Sequence, residues 1–254
     1  MTHNMNLWQE SFYKIADGSK TIELRLNDEK RQQINIGDTI IFNCTKNNDI
    51  ITAKVKALHK FDDFEELYEC LPLDKYGYKK EELTSAFYTD MNAYYTEEQI
   101  KNYGVLGIEL YDVETICDIK AELLNEQIYN LLSPSVFNPT SEKLLSRVQK
   151  YFDDYKTYAY AFIQDGEYVG IIVFDIQENI STILDIAVNS EYCGKGIGSK
   201  FVNFILDNFN INTIIAETDD DAVGFYKKRG FKAHEIETEH NVKRYICKFS
   251  SNCT

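Results

Sequence analysis

The apolar run Thr182-Ile183-Leu184-Asp185-Ile186-Ala187-Val188 leads into Tyr192-Cys193-Gly194-Lys195-Gly196-Ile197-Gly198-Ser199, which opens the helix-like stretch Lys200-Phe201-Val202-Asn203-Phe204-Ile205-Leu206. A strand, a glycine-rich turn and a helix in that order make a phosphate cradle. Gly194, Gly196 and Gly198 let the backbone turn tightly and approach a ligand closely, while the first helical N–H groups supply donors and a partial positive charge. A pyrophosphate fits such a turn. The glycines fall at every second position, so the spacing is not the dinucleotide GxGxxG, and no acidic residue closes a following parallel strand as a ribose ligand would.

A second block follows, Glu217-Thr218-Asp219-Asp220-Asp221-Ala222-Val223-Gly224-Phe225-Tyr226-Lys227-Lys228-Arg229-Gly230-Phe231. With Ile214-Ile215-Ala216 as a strand before it, Thr218 or Asp219 can cap a short helix that Gly230 ends. The two blocks together resemble the acetyl-CoA signature of the GCN5-related N-acetyltransferases (GNAT), Arg/Gln-x-x-Gly-x-Gly/Ala and then Ala-x-x-Phe-Tyr-x-x-x-Gly-Phe, over roughly residues 115–254. The resemblance implies acetyl-CoA as cofactor. It implies that the strand ending Ile186, Ala187 and Val188 holds the pantetheine, and that Cys193, Gly194, Lys195, Gly196, Ile197, Gly198 and Ser199 surround the pyrophosphate. It also implies that Tyr226 protonates the departing thiolate. Asp185 and Glu217 are candidate bases for the amine proton, and no metal is needed. Cys193 stands where the family has Arg or Gln, which leaves the pyrophosphate to backbone N–H groups helped by Lys195 and Ser199.

At 254 residues with 44% hydrophobic residues the chain is long enough for one large or two small cores. No membrane span or secretory leader is expected, and six scattered cysteines without a CxxC pair favour reduced thiols and a cytoplasmic protein. The net charge of −14 speaks against a DNA or general nucleic-acid binder, because phosphate neutralisation needs clustered Lys and Arg. Acidic residues outnumber basic ones in both halves.

The pattern divides near residues 112–118, giving expected domains at 1–114 and 115–254. The first reads as short strands at 21–26, 39–43, 51–58 and 105–111 around helices at 63–70 and 97–102. The second opens with helical runs at 119–132 and 140–155. Strands follow at 157–164, 168–177 and 182–188, with Asp165-Gly166 as the first hairpin turn, then strands at 213–217, 231–235 and 242–249 after the glycine turn and its helix. The expected class is α+β or α/β.

In the first part, Gly18-Ser19-Lys20-Thr21-Ile22-Glu23-Leu24-Arg25 precedes Ile36-Gly37-Asp38. Thr21, Glu23 and Arg25 alternate with Ile22 and Leu24, so one strand face carries the charges and Lys20 precedes them at its mouth. This resembles the ASCH domain, a PUA-like β-barrel tied to RNA or modified-nucleoside chemistry, with the motif Gly-x-Lys-x-x-Glu-x-Arg and then Gly-Asp. The resemblance implies that Lys20, Glu23 and Arg25 bind RNA or a nucleoside. Some relatives release acetate from acetylated cytidine with a Lys, a Thr and a Glu. Here Lys20 matches the first, Glu23 occupies the Thr position, and the third is unassigned among Glu65, Glu66, Glu81, Glu82, Glu97 and Glu98.

The combined expectation is an N-terminal PUA-like barrel followed by an acetyltransferase with a mixed sheet. It moves an acetyl group to a primary amine of a small molecule or peptide. The alternative is a non-catalytic sensor of acetyl-CoA and RNA. The acceptor loops, 133–139 and 236–241, carry no motif, and oligomeric state is not legible.

Overall fold

The computed structural model describes residues 1–237 and 243–251, and they fall into two compact units: Met1–Thr115 with Ile163–Glu167, and Ile116–Phe162 with Tyr168 onward.

The N-terminal unit runs β1 (Thr2–Leu7), α1 (Gln9–Ala16), β2 (Ile22–Leu26), β3 (Thr39–Cys44), β4 (Ile50–Phe61), α2 (Phe64–Cys70), α3 (Glu97–Tyr103) and β5 (Val105–Asp118). In β3 every second residue is buried, Ile40, Phe42 and Cys44, the period-two signature of a strand with one face on a core. Parallel pairing with β1 sets Met5 opposite Phe42 and Leu7 opposite Cys44, and with Phe12 and Ile15 of α1 they form one core. A second core gathers Ile22, Leu24 and Leu26 of β2 with Phe64, Leu67 and Tyr76. The Asp63 side chain caps α2 by accepting from the Glu66 N–H at 2.9 Å, and Thr96 with Gln99 forms a capping box on α3.

The strands follow the order β1-β3-β4-β5, with β2 paired antiparallel to β5. This sheet is open, which corrects the expected closed barrel. β1 and α1 were not expected at all. Their polar alternation hides a buried His3, whose Nε2 lies 2.8 Å from Asp38 Oδ2.

The second unit holds α4 (Glu126–Tyr129), α5 (Ser141–Asp153), β6 (Thr157–Gln164), β7 (Glu167–Gln177), β8 (Ile180–Val188), α6 (Ile197–Asn208), β9 (Thr213–Asp219), α7 (Val223–Lys228), β10 (Lys232–Ile236) and β11 (Arg244–Ser250). The expected helix 119–132 is instead a chain of short turns. Asn125 accepts from the Gln127 N–H at 3.0 Å and so starts a new short helix inside that run, followed by a 3-10 segment, Asn130–Ser135, that contains Pro134. Expected strand 242–249 begins at Val242, outside the described residues, as does most of the 236–241 loop.

The strand order is β6-β7-β8-β9-β11-β10, a mixed sheet. β7 and β8 pair antiparallel up to Gly170 and Val188, and β8 and β9 pair parallel only from Ile180 to Ile183. A register shift leaves Leu184 without a β7 partner, between Asp185 opposite Val173 and Ile183 opposite Phe174. At that bulge the two central strands part. No described helix is long and apolar enough to cross a membrane.

Candidate functional site

Beyond Ile183 the edge of β8 facing β9 has no ladder partner among the described residues, so alternate backbone N–H and C=O groups along Leu184–Val188 face away from β7. A cavity of about 600 Å3 lies there, lined along β8, by the Gly194–Ser199 turn, and by Glu217, Phe225, Tyr226 and Arg147. The expected strand edge, glycine turn, Tyr226, Asp185 and Glu217 are therefore brought to one cleft. Of the turn and edge residues, Ala187 and Lys195 do not line it. Ala187 is buried, and the Lys195 ammonium instead sits 4.2 Å from the centre of the Tyr192 ring.

Gly196 is the residue before α6 and adopts a left-handed φ of +85°, which a side chain would strain. The helix begins with no side-chain cap and no acidic residue in its first turn. Its first N–H groups have no carbonyl partner within the helix, and they carry the positive end of the macrodipole. Gly198 is needed for a different reason: a Cβ there would come within 3.0 Å of the Phe225 ring. Gly198 thus lets α7 pack against the start of α6. Cys193 is exposed, with its Sγ 3.7 Å from the Val188 carbonyl oxygen.

Tyr226 is 3% exposed and packs edge-on against Phe225 and Phe231. Its hydroxyl has no hydrogen-bond partner among the described residues. Burial first, then the nearby Cys247 and Asp185, push the phenol well above its ordinary pKa, so it stays protonated.

The two carboxylates differ sharply. Glu217 is exposed and pairs with Arg244, whose Nε lies 3.0 Å from Oε1. Asp185 is buried and accepts three hydrogen bonds. Arg147 Nε donates to its Oδ2 at 2.6 Å, Arg147 Nη2 to its Oδ1 at 3.0 Å, and the Tyr151 hydroxyl to Oδ2 at 2.5 Å. To serve as the expected base, Asp185 would have to release Arg147 first. Arg147 and Tyr151 were missed in the sequence, although their i, i+4 spacing on a capped helix was readable.

In the N-terminal unit, Lys20 Nζ lies 2.8 Å from Glu23 Oε2 and Arg25 Nε 2.9 Å from Glu23 Oε1. Lys20 and Glu23 are buried, which is not a solvated strand face. Pairing of Glu23 with Ile108 and of Arg25 with Leu106 places both on the sheet face of the first core. Burial pushes the Glu23 carboxyl upward, but Lys20 and Arg25 together outweigh it and hold it below its ordinary value. Asp38 of the Gly-Asp pair is also buried and accepts from the Asn35 N–H at 3.0 Å, which makes it a turn anchor. The larger cavity of this unit, about 1050 Å3, is lined by Asp62, Asp63, Glu66, Lys60 and Lys101, and none of Lys20, Glu23 and Arg25 reaches it. Among the described residues no group of three or more potential ligands could hold a metal ion.

Comparison with known proteins agrees with this division. Residues 5–114 match the ASCH domain family, and residues 120–246, half of the chain, match the acetyltransferase (GNAT) domain family. No curated protein matches the chain. Among solved structures, a hypothetical protein, PH0355, is 36% identical over 43% of this chain and 97% of its own, with a TM-score of 0.36. An IAA acetyltransferase from Bacillus cereus is 21% identical over 53% of this chain and 96% of its own (TM-score 0.39). The Campylobacter jejuni N-acetyltransferase PseH, solved in complex with acetyl coenzyme A, is 16% identical over 55% of this chain and 99% of its own (TM-score 0.42).

Proposed function

The chain belongs to the GNAT acetyltransferase family and carries an ASCH domain before it, and from that premise we propose that it transfers an acetyl group from acetyl-CoA to a primary amine. The observation that carries this reading is the parting of β8 from β9 beside the uncapped start of α6, with Tyr226 lining the same cleft. The donor set fits a thioester cofactor with a pyrophosphate: backbone N–H groups of Gly196–Ser199 for the phosphates and the free β8 edge at Ile186–Val188 for the pantetheine amides. Acetyl-CoA, when bound, supplies the activated acetyl group.

The protein's own residues then have separable tasks. Free N–H groups on β8 orient the carbonyl and favour charge developing on its oxygen. Tyr226 holds a proton at its hydroxyl for the leaving sulfur. Glu217, more exposed than Asp185 and held by one salt bridge, accepts the amine proton through water. Asp185 holds Arg147 in place. We assign the acetyltransferase domain to 115–254 and the ASCH domain to 1–114, and the free thiols of Cys44, Cys70, Cys117, Cys193 and Cys247 suit a cytoplasmic setting. In the ASCH domain, Lys20, Glu23 and Arg25 bind a nucleoside or RNA. Titration of the full chain with nucleosides, acetylcytidine and short RNAs tests this, and chemical shifts unmoved by all three would leave the triad a structural ion network.

Two measurements test the cofactor assignment. Saturating CoA should raise the thermal midpoint, because a ligand bound only to the native state stabilises it. Gly196→Asp should abolish that rise by adding backbone strain and a negative charge at the phosphate turn. An unmoved midpoint in the unsubstituted protein would remove acetyl-CoA from the account and leave no transferase.

Cysteine mapping gives the second. Brief iodoacetamide treatment should label exposed Cys193 and Cys70 ahead of buried Cys44, Cys117 and Cys247. CoA should shield Cys193 and leave Cys70 unchanged. Labelling of Cys193 that ignores CoA would place the ligand away from the turn. Cys253, the sixth thiol, lies outside the described residues.

A further inference from the structure

The two carboxylates that are candidates for proton transfer, Asp185 and Glu217, are each engaged by an arginine, although the protein as a whole is strongly acidic and Asp219 and Asp221 also line the cleft. Asp185 is matched by Arg147, and Glu217 by Arg244. A polycationic amine would find neither carboxylate free, because each would have to give up its arginine.

Arg147 is not used up by its partner. Asp185 and Tyr151 occupy the side of the guanidinium formed by Nε and Nη2. The opposite fork, both Nη1 hydrogens and the second Nη2 hydrogen, has no partner among the described residues, while the side chain is 40% exposed and lines the cleft. A guanidinium fixed on one side by a bidentate carboxylate presents its second fork in a set direction, the arrangement that reads another carboxylate. Arg244 is less suited. It lies between Glu217 and Asp219, 3.0 and 3.9 Å from their oxygens, so negative charge already outnumbers it.

Resting on the acetyltransferase reading, we propose that the acceptor is a zwitterion, an amino acid or a similar amine bearing a carboxylate next to its nitrogen, and that Arg147 binds this carboxylate. Asp185 and Tyr151 are positioning residues for Arg147. The amine then lies within the same cleft, where Glu217 and Tyr226 also line the wall. This selects one class from the primary amines of small molecules and peptides that the sequence leaves open.

Matched pairs that differ only in the carboxylate decide the question: L-lysine against cadaverine, L-tyrosine against tyramine, and L-phenylalanine against phenethylamine. Calorimetric titration of each into the full-length protein with CoA present reads binding without turnover. In at least one pair the amino acid should bind about tenfold to a hundredfold more tightly, the value of a charge-assisted bidentate contact. Removing Arg147 alone would strand the buried Asp185, so the informative variant is Arg147→Gln with Asp185→Asn, which removes the charge pair as a unit. That variant should lose the preference while its CoA affinity is unchanged, and Arg147→Lys should lose most of it. A merely structural ion pair would leave the preference intact. Equal or weaker binding of all three amino acids, or a preference that survives in the double variant, overturns the proposal. Thiol release from acetyl-CoA with the same six compounds separates the two readings. Turnover without carboxylate preference refutes only the zwitterion. Preferred, Arg147-dependent binding without turnover upholds the zwitterion site and counts against transfer.

Discussion

Tyr226→Phe should lower turnover by about a hundredfold or more while leaving the affinity for CoA and the stability nearly unchanged. General acid catalysis contributes on that scale, and the substitution deletes one hydroxyl. The structure explains why the rest should hold. The ring is packed between Phe225 and Phe231, contacts that phenylalanine keeps, and the hydroxyl has no described partner that its loss would strand. Because burial raises the phenol pKa, Tyr226 keeps its proton through and beyond the range where a free tyrosine ionises. An alkaline fall in kcat caused by Tyr226 should therefore lie above about pH 10, and should be absent from the phenylalanine variant. Steady-state rates for both proteins, on any amine that turns over, check this. Equal turnover numbers would reduce Tyr226 to packing.

The same tyrosine shows what a sequence can and cannot disclose about a site. Glycine spacing, strand and helix periods, and the Phe225-Tyr226 pair before Gly230 are local signals, and they placed the turn and α6 to within a few residues, whereas α7 starts after Ala222 and the expected caps Thr218 and Asp219 belong to β9. What they could not supply was the competition between partners. Asp185 looked available because no basic residue stands within nine positions of it in sequence, but α5 brings Arg147 and Tyr151 onto it from 38 and 34 residues away. Likewise, alternation in β2 predicted a charged face opposite an apolar one. That both faces would be buried depended on α1 on one side and α2 on the other. The open sheet of the N-terminal unit follows from β2 pairing with β5 and not with β1, a long-range choice with no local marker. Element type was legible where one face decided it. The shape of the turn was legible where backbone conformation decided it, at Gly196 above all.

Burial of the Lys20–Glu23–Arg25 network leads to the second large effect. Glu23→Gln should destabilise the N-terminal unit by about 3–5 kcal/mol at neutral pH, since it leaves two cations facing a partner without charge in a largely buried site. The single tryptophan, Trp8, lies in this unit, so its fluorescence during urea unfolding reports the loss directly. The pH dependence has a fixed sign. The folded carboxyl titrates below its ordinary value of 4.5, so the stabilisation is fully present above that value and is lost as acid takes the pH down through the folded pKa. The gap between the two proteins should close on that side only. A third protein separates stability from use: Lys20→Met, Glu23→Leu and Arg25→Met together replace the network with apolar side chains. Buried ion pairs exchanged as a unit for well-packed apolar residues commonly cost little, so this variant should recover most of the lost stability. If it does so while nucleoside or RNA binding vanishes, the charges are there for a ligand. Unfolding of Glu23→Gln at the same urea concentration as the unsubstituted protein would instead show that water reaches the triad and that its apparent burial carries no energetic weight.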